Sequence, residues 1–198
     1  MSIEILKEKG IIMENKIRCS WCLSSDLYKK YHDEEWGVPV YDDQKLFEFL
    51  ILETFQSGLS WITILNKREN FRQAFDNFDY MKVAQYPEDK IQELLLDAGI
   101  IRNQLKIRAA VSNAVAFKKV QDELGSFSKY IWAFVDGKPI NNNRKKRSEV
   151  QATTPLSDTI SKDLKKRGFK FVGSTVVYAH MQATGMVNDH VEDCWTKN

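Results

Sequence analysis

The chain has 198 residues, of which 43% are hydrophobic and 28% charged, a composition typical of globular proteins and not of disordered or fibrous ones. Lysine and arginine number 29 against 27 acidic residues, so the net charge of +2 neither requires nor excludes a nucleic-acid partner. No apolar stretch approaches the roughly 20 residues needed to cross a bilayer, and residues 1–17 lack the continuous apolar core of a signal peptide. We therefore expect a cytoplasmic protein without a membrane partner.

The organisation along the chain predicts one compact unit behind a short extension. Residues 1–17 alternate charged and apolar residues and are expected to be a mobile extension, and translation could start at Met1 or at Met13. Residues 18–198 are expected to form a single domain of two helical lobes and to be monomeric.

Apolar periodicity and capping residues predict an all-α fold. In chain order, helices are predicted from Asp26 through His32, from Asp42 or Asp43 to near Gly58, from Ser60 through Phe71, from Pro87 to Gly99, from about Arg102 to Leu124, from Ser126 to Val135, from Ser157 to Arg167, and from Ser174 to Thr184. Short β-like runs such as 169–172 lack hairpin partners. The polar stretch 136–155 is predicted to be a surface loop, with a phosphate contact as the alternative.

Cysteine and histidine residues at both ends of the chain could hold a metal ion. His190 and Cys194 form an H-x-x-x-C pair, which would share one face if the segment were helical. Cys19 and His32 lie near the other end, and spacing alone neither links them to that pair nor excludes Cys22, which forms a C-x-x-C pair with Cys19. The alternative for His190 and Cys194 is plain burial. His180 sits among apolar residues and is interpreted as a core histidine.

Two elements could contact DNA phosphates, although each also has a purely structural explanation. Residues 94–110 read as helix, tight turn at Gly99 and helix, and such a turn presents backbone N–H groups to an anion. Many helical pairs join through glycine without binding anything. Lys166 and Arg167 lie in a basic run at a predicted helix C-terminus, where they also complement the helix dipole.

Glu53 is an unusual residue for its surroundings. It lies in the run F-E-F-L-I-L-E-T-F, which is apolar nearly all round and is expected to be buried. A buried carboxylate needs an internal partner, or else it lines a pocket and binds a ligand. Many aromatic residues gather in the same part of the sequence, and for each of them the simplest interpretation is core packing.

Several long motifs in a fixed order resemble the DNA-3-methyladenine glycosylase I family, within the wider helix–hairpin–helix glycosylases. They are R-C-S-W at 18–21, Y-x-x-Y-H-D-x-E-W-G-V-P at 28–39, L-E-x-x-Q-x-G-L-S-W-x-T-I-L-x-K-R-E at 52–69, D-A-G-I-I-R at 97–102, L-K-K-R-G-F-K-F-V-G at 164–173 and N-D-H-x-x-x-C at 188–194. The resemblance covers nearly the whole chain from Arg18 to Cys194.

The resemblance implies a role for each matching position. It implies a structural zinc that ties the two ends together through Cys19, His32, His190 and Cys194, which leaves Cys22 unused. It implies that Glu53 recognises a flipped base, with Tyr31, Trp61, Trp21 and Tyr28 as further base-binding residues. It also implies that a hairpin at Gly99, Ile100, Ile101 and Arg102, with Lys166 and Arg167, grips the DNA.

The expected activity is hydrolysis of the glycosidic bond of 3-methyladenine in double-stranded alkylated DNA, with the nucleotide flipped out of the duplex. Glu53 is expected to act in its ionised form. No lysine is placed to suggest a Schiff base, so base removal without strand cleavage is expected. Wider relatives carry an aspartate after the hairpin, and Asp122 and Asp136 follow it here with nothing to mark either. The alternative is a zinc-stabilised helical DNA-binding protein without catalysis.

Overall fold

The computed structural model describes residues 16–197, in which helices are the main regular structure. The helices are α1 (Asp26–Glu34), α2 (Asp43–Gln56), α3 (Trp61–Ala74), α4 (Tyr80–Val83), α5 (Glu88–Leu96), α6 (Gln104–Leu124), α7 (Phe127–Trp132), α8 (Pro155–Lys166) and α9 (Ser174–Ala183). Short 3-10 turns lie at Ser20–Cys22, Asp76–Phe78, Ala133–Val135 and Arg147–Glu149. The helical prediction is therefore confirmed for this part of the chain, and the extension predicted at 1–17 lies outside it except for its last two residues.

Helix starts follow short polar side chains, although the predicted cap of α1 was wrong and α6 starts slightly later than its approximate predicted start. The Asp42 carboxylate accepts from the Lys45 N–H at 2.8 Å and caps α2, as predicted. Ser25 and not Asp26 caps α1, and α6 begins only after Asn103. In both places several polar residues adjoin, so apolar periodicity does not fix which of them is the cap.

Helix α2 lies at the centre of the molecule and positions Glu53. Every residue from Leu46 to Phe55 is buried, and the helix packs against α3, α6, α7 and α9. An apolar surface all round the helix requires such a position. Lys106, at the start of α6, holds the C-terminal end of α2 in place, because its ammonium donates to the carbonyl oxygens of Phe55 at 2.8 Å and Ser57 at 2.6 Å.

A small parallel sheet departs from the sequence prediction. Strand β1 (Ile140–Asn141) pairs with β2 (Val187–Asn188), and an isolated bridge joins Arg144 to Val191. The segment 136–155 is thus attached to the C-terminal segment and is not a simple surface loop. Two-residue strands carry no readable periodicity, and the two paired strands lie more than forty residues apart in the sequence.

Buried apolar residues contributed by every helix from α1 to α9 form one cluster. No helix within residues 16–197 has the length and apolar character needed to cross a membrane. The division of 18–198 into two lobes and the monomeric state stay predictions.

Candidate active site

One cavity collects the side chains that the sequence suggested for base binding. Its volume is about 510 Å³, within the roughly 300–1,000 Å³ range of small-ligand sites. The residues that line it include all five predicted base-binding side chains, Trp21, Tyr28, Tyr31, Glu53 and Trp61. The structure therefore brings these residues together on one cavity, while their individual roles stay predictions.

Glu53 reaches this cavity as a buried carboxyl group without a partner. Its side chain comes from the last turn of α2 and is 4% exposed, and its Oε2 has no hydrogen bond within residues 16–197. Burial raises its pKa to about 8, because the charged form loses its hydration without a compensating donor. With that pKa the carboxyl group is mostly protonated in the ligand-free protein near pH 7. The expectation of an ionised Glu53 concerns the complex with a bound base and stays a prediction.

Glu48, on the same helix, shows that α2 can also bury a carboxylate with its partners. Its side chain is almost as buried as that of Glu53. Lys45 donates to one oxygen at 2.9 Å, and Arg72 donates twice to the other, at 2.7 and 3.0 Å. The missing donors at Glu53 are thus a property of that position and not of the helix.

Aromatic rings form the walls of the cavity. The rings of Tyr31 and Trp61 have centroids 5.3 Å apart, and those of Trp21 and Tyr28 are 4.9 Å apart in an edge-to-face arrangement. The indole N–H of Trp61 is buried and has no acceptor within residues 16–197. The cavity therefore presents an unused acceptor at Glu53 and an unused donor at Trp61 beside flat apolar surfaces.

The cavity also contains residues that sequence reasoning missed. Trp36 lies in the motif at 28–39 but was not predicted to bind the base. It lines the cavity, and its ring stands edge-on to Trp21 with centroids 5.0 Å apart. Lys145, Lys146 and Arg147, from the segment expected to be a loop, also line the cavity. The pairing of β1 with β2 brings this segment, with its two lysines, to the cavity. The expectation that no lysine forms a Schiff base stays a prediction.

Cys19, His32, His190 and Cys194 converge at one buried point, with all four ligand atoms within 4.8 Å of one another. The Sγ of Cys194 lies 3.4 Å from Nε2 of His32 and 3.5 Å from Nδ1 of His190. The Sγ of Cys19 lies 3.6 Å from that same Nδ1. A tetrahedral zinc, with bonds of about 2.3 Å to sulfur and about 2.0–2.1 Å to nitrogen, separates sulfur from nitrogen by about 3.5 Å. The predicted convergence is confirmed, and the spacing fits zinc.

Both imidazoles of this cluster are oriented by hydrogen bonds from their other nitrogen. His32 donates from Nδ1 to Asp33 at 2.8 Å, and His190 donates from Nε2 to the carbonyl oxygen of Trp36 at 3.0 Å. Each ring therefore turns its second nitrogen toward the two sulfurs, which is the orientation that metal ligation requires. Gly37 permits this packing, because it has a φ of +80° and an added Cβ would lie 3.0 Å from Nε2 of His190.

Two assumptions about this cluster are settled by the backbone and by the sulfur contacts. The segment from His190 to Cys194 is a turn and not a helix, so the condition under which the two residues would share a helix face is not met. The Cys22 thiol donates to the carbonyl oxygen of Cys19 and lies outside the cluster. His180 is a core histidine, as predicted, and its Nε2 lies 3.1 Å from the carbonyl oxygen of Leu46.

Asp189 is a second buried carboxylate that lines the cavity, and it is fully bonded. It accepts hydrogen bonds from four side chains at 2.6–3.2 Å, those of Asn142, Arg144, Tyr178 and Gln182. Burial alone would raise the pKa of Asp189, but these donors outweigh it and lower the pKa below its ordinary value. The first two aspartates after the hairpin, Asp122 and Asp136, do not line the cavity.

The predicted DNA hairpin lies between α5 and α6. Lys67 of α3 donates to the carbonyl oxygens of Ala98 and Gly99, at 3.0 and 3.1 Å. The Gly99 N–H is already bonded to the Asp97 carboxylate. Within residues 16–197 the backbone N–H groups of Ile101 and Arg102 have no acceptor, so they are the amides available to an anion.

Lys166 and Arg167 are adjacent but differ in their contacts. The Arg167 guanidinium pairs with Asp163 at 2.8 Å and Glu123 at 2.9 Å, while Lys166 is exposed without an ion pair among the described residues. A DNA contact by either stays a prediction, and Lys166 is the one with its charge available.

Comparison with known proteins gives a single family. Residues 21–197 match the model of the methyladenine glycosylase family. The chain is 49% identical over 177 residues to DNA-3-methyladenine glycosylase 1 of Escherichia coli K12, covering 89% of this chain and 95% of the relative. It is 46% identical over 177 residues to DNA-3-methyladenine glycosylase of Haemophilus influenzae, covering 89% and 96%.

A solved structure leads to the same family. The fold matches that of 3-methyladenine DNA glycosylase I from Staphylococcus aureus with a TM-score of 0.89 and 37% identity, covering 91% of this chain and 96% of that one. The family match covers most of the chain, including the quoted motifs from Trp21 onward. The chain therefore belongs to the methyladenine glycosylase family.

Proposed function

We propose that this protein is a DNA-repair N-glycosylase that releases 3-methyladenine from alkylated double-stranded DNA. The observation that carries the proposal is the pair of unused polar groups, the Glu53 carboxyl and the Trp61 indole N–H, in an aromatic cavity. Buried polar groups are almost always hydrogen-bonded, so two orphans on one cavity point to a ligand that completes them. The named function of the relatives supports the choice of ligand.

A methylated adenine in DNA matches this cavity chemically. Methylation at N3 gives the base a positive charge, which favours the faces of aromatic rings and an ionised carboxylate. Glu53 releases its proton to solvent when the cation enters, and its carboxylate then accepts hydrogen bonds from the adenine edge. Tyr31 and Trp61 hold the ring of the base. The target must leave the helix to reach such a site, so the nucleotide is flipped out of the duplex.

The bond that breaks joins C1′ of the sugar to the methylated adenine. The bonding electron pair leaves with the base, which thereby becomes neutral, and the sugar develops oxocarbenium character. The oxygen of a water molecule then bonds to C1′ and releases a proton to solvent, leaving an abasic site. Because the leaving group is already cationic, little acid catalysis is needed.

The abasic strand is expected to remain intact. Strand cleavage would require a neutral amine that attacks C1′, and lysine nucleophiles are activated by desolvation. Lys145 and Lys146 line the cavity but are exposed to solvent. Borohydride should therefore trap no covalent complex with the DNA, and a trapped complex lost on substitution of both lysines would show a lyase.

The same proposal assigns a structural zinc to Cys19, His32, His190 and Cys194. Two thiolates and two imidazoles complete a tetrahedron and leave no open position for water. When bound, the ion would supply a cross-link between the two ends of the domain and no step of the reaction. A zinc hydrolase of small molecules, which needs an open metal position, is disfavoured for the same reason.

The decisive experiment compares Glu53→Gln with Glu48→Gln. A charge-assisted hydrogen bond contributes about 1.5–3 kcal/mol, so losing two should reduce kcat/KM for base release about 10²–10⁴-fold. Glu48→Gln changes an equally buried carboxyl on the same helix that has its own partners. As long as it folds, Glu48→Gln should release base with a kcat/KM within a few-fold of the wild-type value.

Base release by Glu53→Gln at the wild-type rate would remove Glu53 from the reaction. The non-catalytic alternative predicts that the wild-type protein binds DNA but liberates no base. Metal content should be the same in the wild type and both variants, which separates loss of the cavity from loss of the fold.

A further inference from the structure

We infer that Lys145, Lys146 and Arg147 form a phosphate-binding rim at the cavity, which holds the sugar–phosphate backbone beside the flipped nucleotide. This inference rests on the proposed function and adds a group of residues to it. The three side chains line the same cavity as Glu53, are exposed to solvent, and have no ion pair or side-chain hydrogen bond within residues 16–197.

The neighbouring Arg144 shows why the position of the rim is fixed. Its Nε donates to the buried Asp189 at 3.2 Å, and its carbonyl oxygen accepts from the Glu192 N–H at 2.9 Å. The Lys145 N–H donates to the Glu149 carboxylate at 2.8 Å and closes the following turn. In a run of four basic residues, the first is therefore used to anchor the segment and the next three are left with unused charge.

The rim lies close to the aromatic wall of the cavity. Burial raises the pKa of the Tyr28 hydroxyl, and the positive charge of Arg147 opposes that rise, which places the guanidinium within electrostatic reach of Tyr28. A nucleotide whose base stands between the rings keeps its sugar and both flanking phosphates at the mouth of the cavity. Those phosphates are the groups that three unpaired cations can bind.

The other charges on the cavity do not cancel the rim. Arg18 is paired with Asp33 at 2.7 Å, and Asp189 is paired with Arg144. Asp193 is the remaining acidic residue on the lining besides Glu53, whose carboxyl is mostly protonated in the ligand-free protein. Among the lining residues, the three rim cations outnumber the Asp193 carboxylate, so the entrance of the cavity is positively charged. Glu53 lies deeper and can bind a cationic base. This arrangement of charge matches a polyanionic strand that carries a positively charged base.

The test compares two triple variants with the same change in charge. The rim variant is Lys145→Gln, Lys146→Gln and Arg147→Gln. The control variant is Lys82→Gln, Lys118→Gln and Lys129→Gln, on α4, α6 and α7, none of which lines the cavity. Affinity for a duplex with an abasic-site analogue is measured against salt concentration, and affinity for free 3-methyladenine and base release from alkylated DNA are measured alongside.

Each lost phosphate contact should lower the slope of log K against log salt by about 0.9. The rim contacts the two phosphates that flank the flipped nucleotide, so the rim variant should lose about 2 in slope. It should bind the duplex at least tenfold more weakly at low salt, with kcat unchanged and KM raised. Its affinity for the free base, which has no phosphate, should stay within twofold of wild type. The control variant should change the slope by less than half as much.

Equal losses of salt slope and duplex affinity in the two variants would show that only the overall charge of the protein matters, and this result would overturn the inference. A fall in affinity for the free base would overturn it differently, by showing that the segment shapes the cavity instead of holding the backbone. Failure of the proposed function is a separate result, because a wild-type protein that releases no base could still show the rim's salt dependence.

Discussion

Glu53 and Asp189 are two buried carboxylates that line the same cavity from opposite ends of the sequence. Asp189 is 1% exposed and accepts hydrogen bonds from four side chains, including that of Arg144. Glu53 is 4% exposed and its Oε2 has no donor in the described part of the chain. The pKa is lowered for the first and raised to about 8 for the second. A buried carboxylate whose hydrogen bonds are all made within the protein stabilises the fold. A buried carboxyl group without such partners can bind a ligand.

The difference arises from what surrounds each residue. Glu53 belongs to a helix whose neighbours are almost all apolar, so no side chain nearby can donate to it. Asp189 follows β2, where an irregular segment lets α9 and the segment around Asn142 approach with polar side chains. Leaving a carboxyl unsatisfied costs stability, and this cost is common where a site must bind something.

The largest predicted effect is the loss of stability when the metal is removed, because the metal cluster lies beside Asp189, the fully hydrogen-bonded carboxylate. His190 adjoins Asp189 in sequence, and the Cys/His cluster joins the N-terminal and C-terminal segments there. We expect one zinc per chain. Its removal by a chelator should lower the free energy of unfolding by roughly 5 kcal/mol, less than the roughly 10–16 kcal/mol of zinc-finger peptides because this fold has its own core. Urea unfolding with and without chelator measures the difference.

Cysteine variants provide the control for this prediction. Cys194→Ala should lose the metal, whereas Cys22→Ala should retain it, since Cys22 is buried beside the cluster but outside it. Equal metal content in the two variants, measured by mass spectrometry of the native protein, would contradict the assignment.

The next effect separates the two carboxylates by stability. Asp189→Asn removes the charge that pairs with Arg144 and disturbs four hydrogen bonds, so it should cost about 3 kcal/mol or more. Glu53→Gln removes a group without partners and should change the free energy of unfolding by less than about 1 kcal/mol. Denaturant titration of both variants at pH 7 tests the contrast. Similar losses in the two would mean that Glu53 has a structural partner in solution.

How much of this arrangement the sequence could predict depends on the range of the interactions. The buried position of Glu53 follows from the local apolar pattern of α2, and its isolation was foreseen as one of two alternatives. The joining of Cys19 with Cys194 came only from the family resemblance, since spacing cannot connect the two ends. The donation of Asn142 and Arg144 to Asp189 and the position of Lys145 could not be predicted, because they depend on the pairing of β1 with β2, which is too short to leave a periodic signal.

The protonation of Glu53 predicts that kcat/KM for base release changes about tenfold per pH unit below the pKa of this residue. In the ligand-free protein its pKa is about 8, so the fraction ionised rises nearly tenfold per unit as the pH increases toward 8 and then levels off. Only the ionised form accepts a cationic base. The kcat/KM for base release, which reports the pKa of the free enzyme, should therefore rise from pH 6 to 8 and reach its plateau only above the pKa of Glu53.

The Glu53→Gln variant supplies the reference, because its remaining activity should not vary with pH in this range. A wild-type profile that is flat from pH 6 to 8 would show that the Glu53 carboxyl ionises at ordinary pH and that some donor reaches it. Asp189, whose pKa is lowered, should contribute no inflection in the same window.

The smallest effect extends the comparison from carboxylates to two adjacent cations. Arg167 is paired with Asp163 and Glu123 and has its guanidinium 4.9 Å from the Tyr130 ring, whereas Lys166 is exposed with no ion pair among residues 16–197. If unused charge marks the groups that contact DNA, Lys166→Gln should weaken duplex binding two- to threefold and lower the salt slope by about 0.9. Arg167→Gln should leave DNA binding unchanged and cost up to about 1 kcal/mol of stability. A larger loss of DNA affinity at Arg167 would mean that its ion pairs open to bind phosphate, and the rule drawn from Asp189 and Glu53 would then hold for buried groups only.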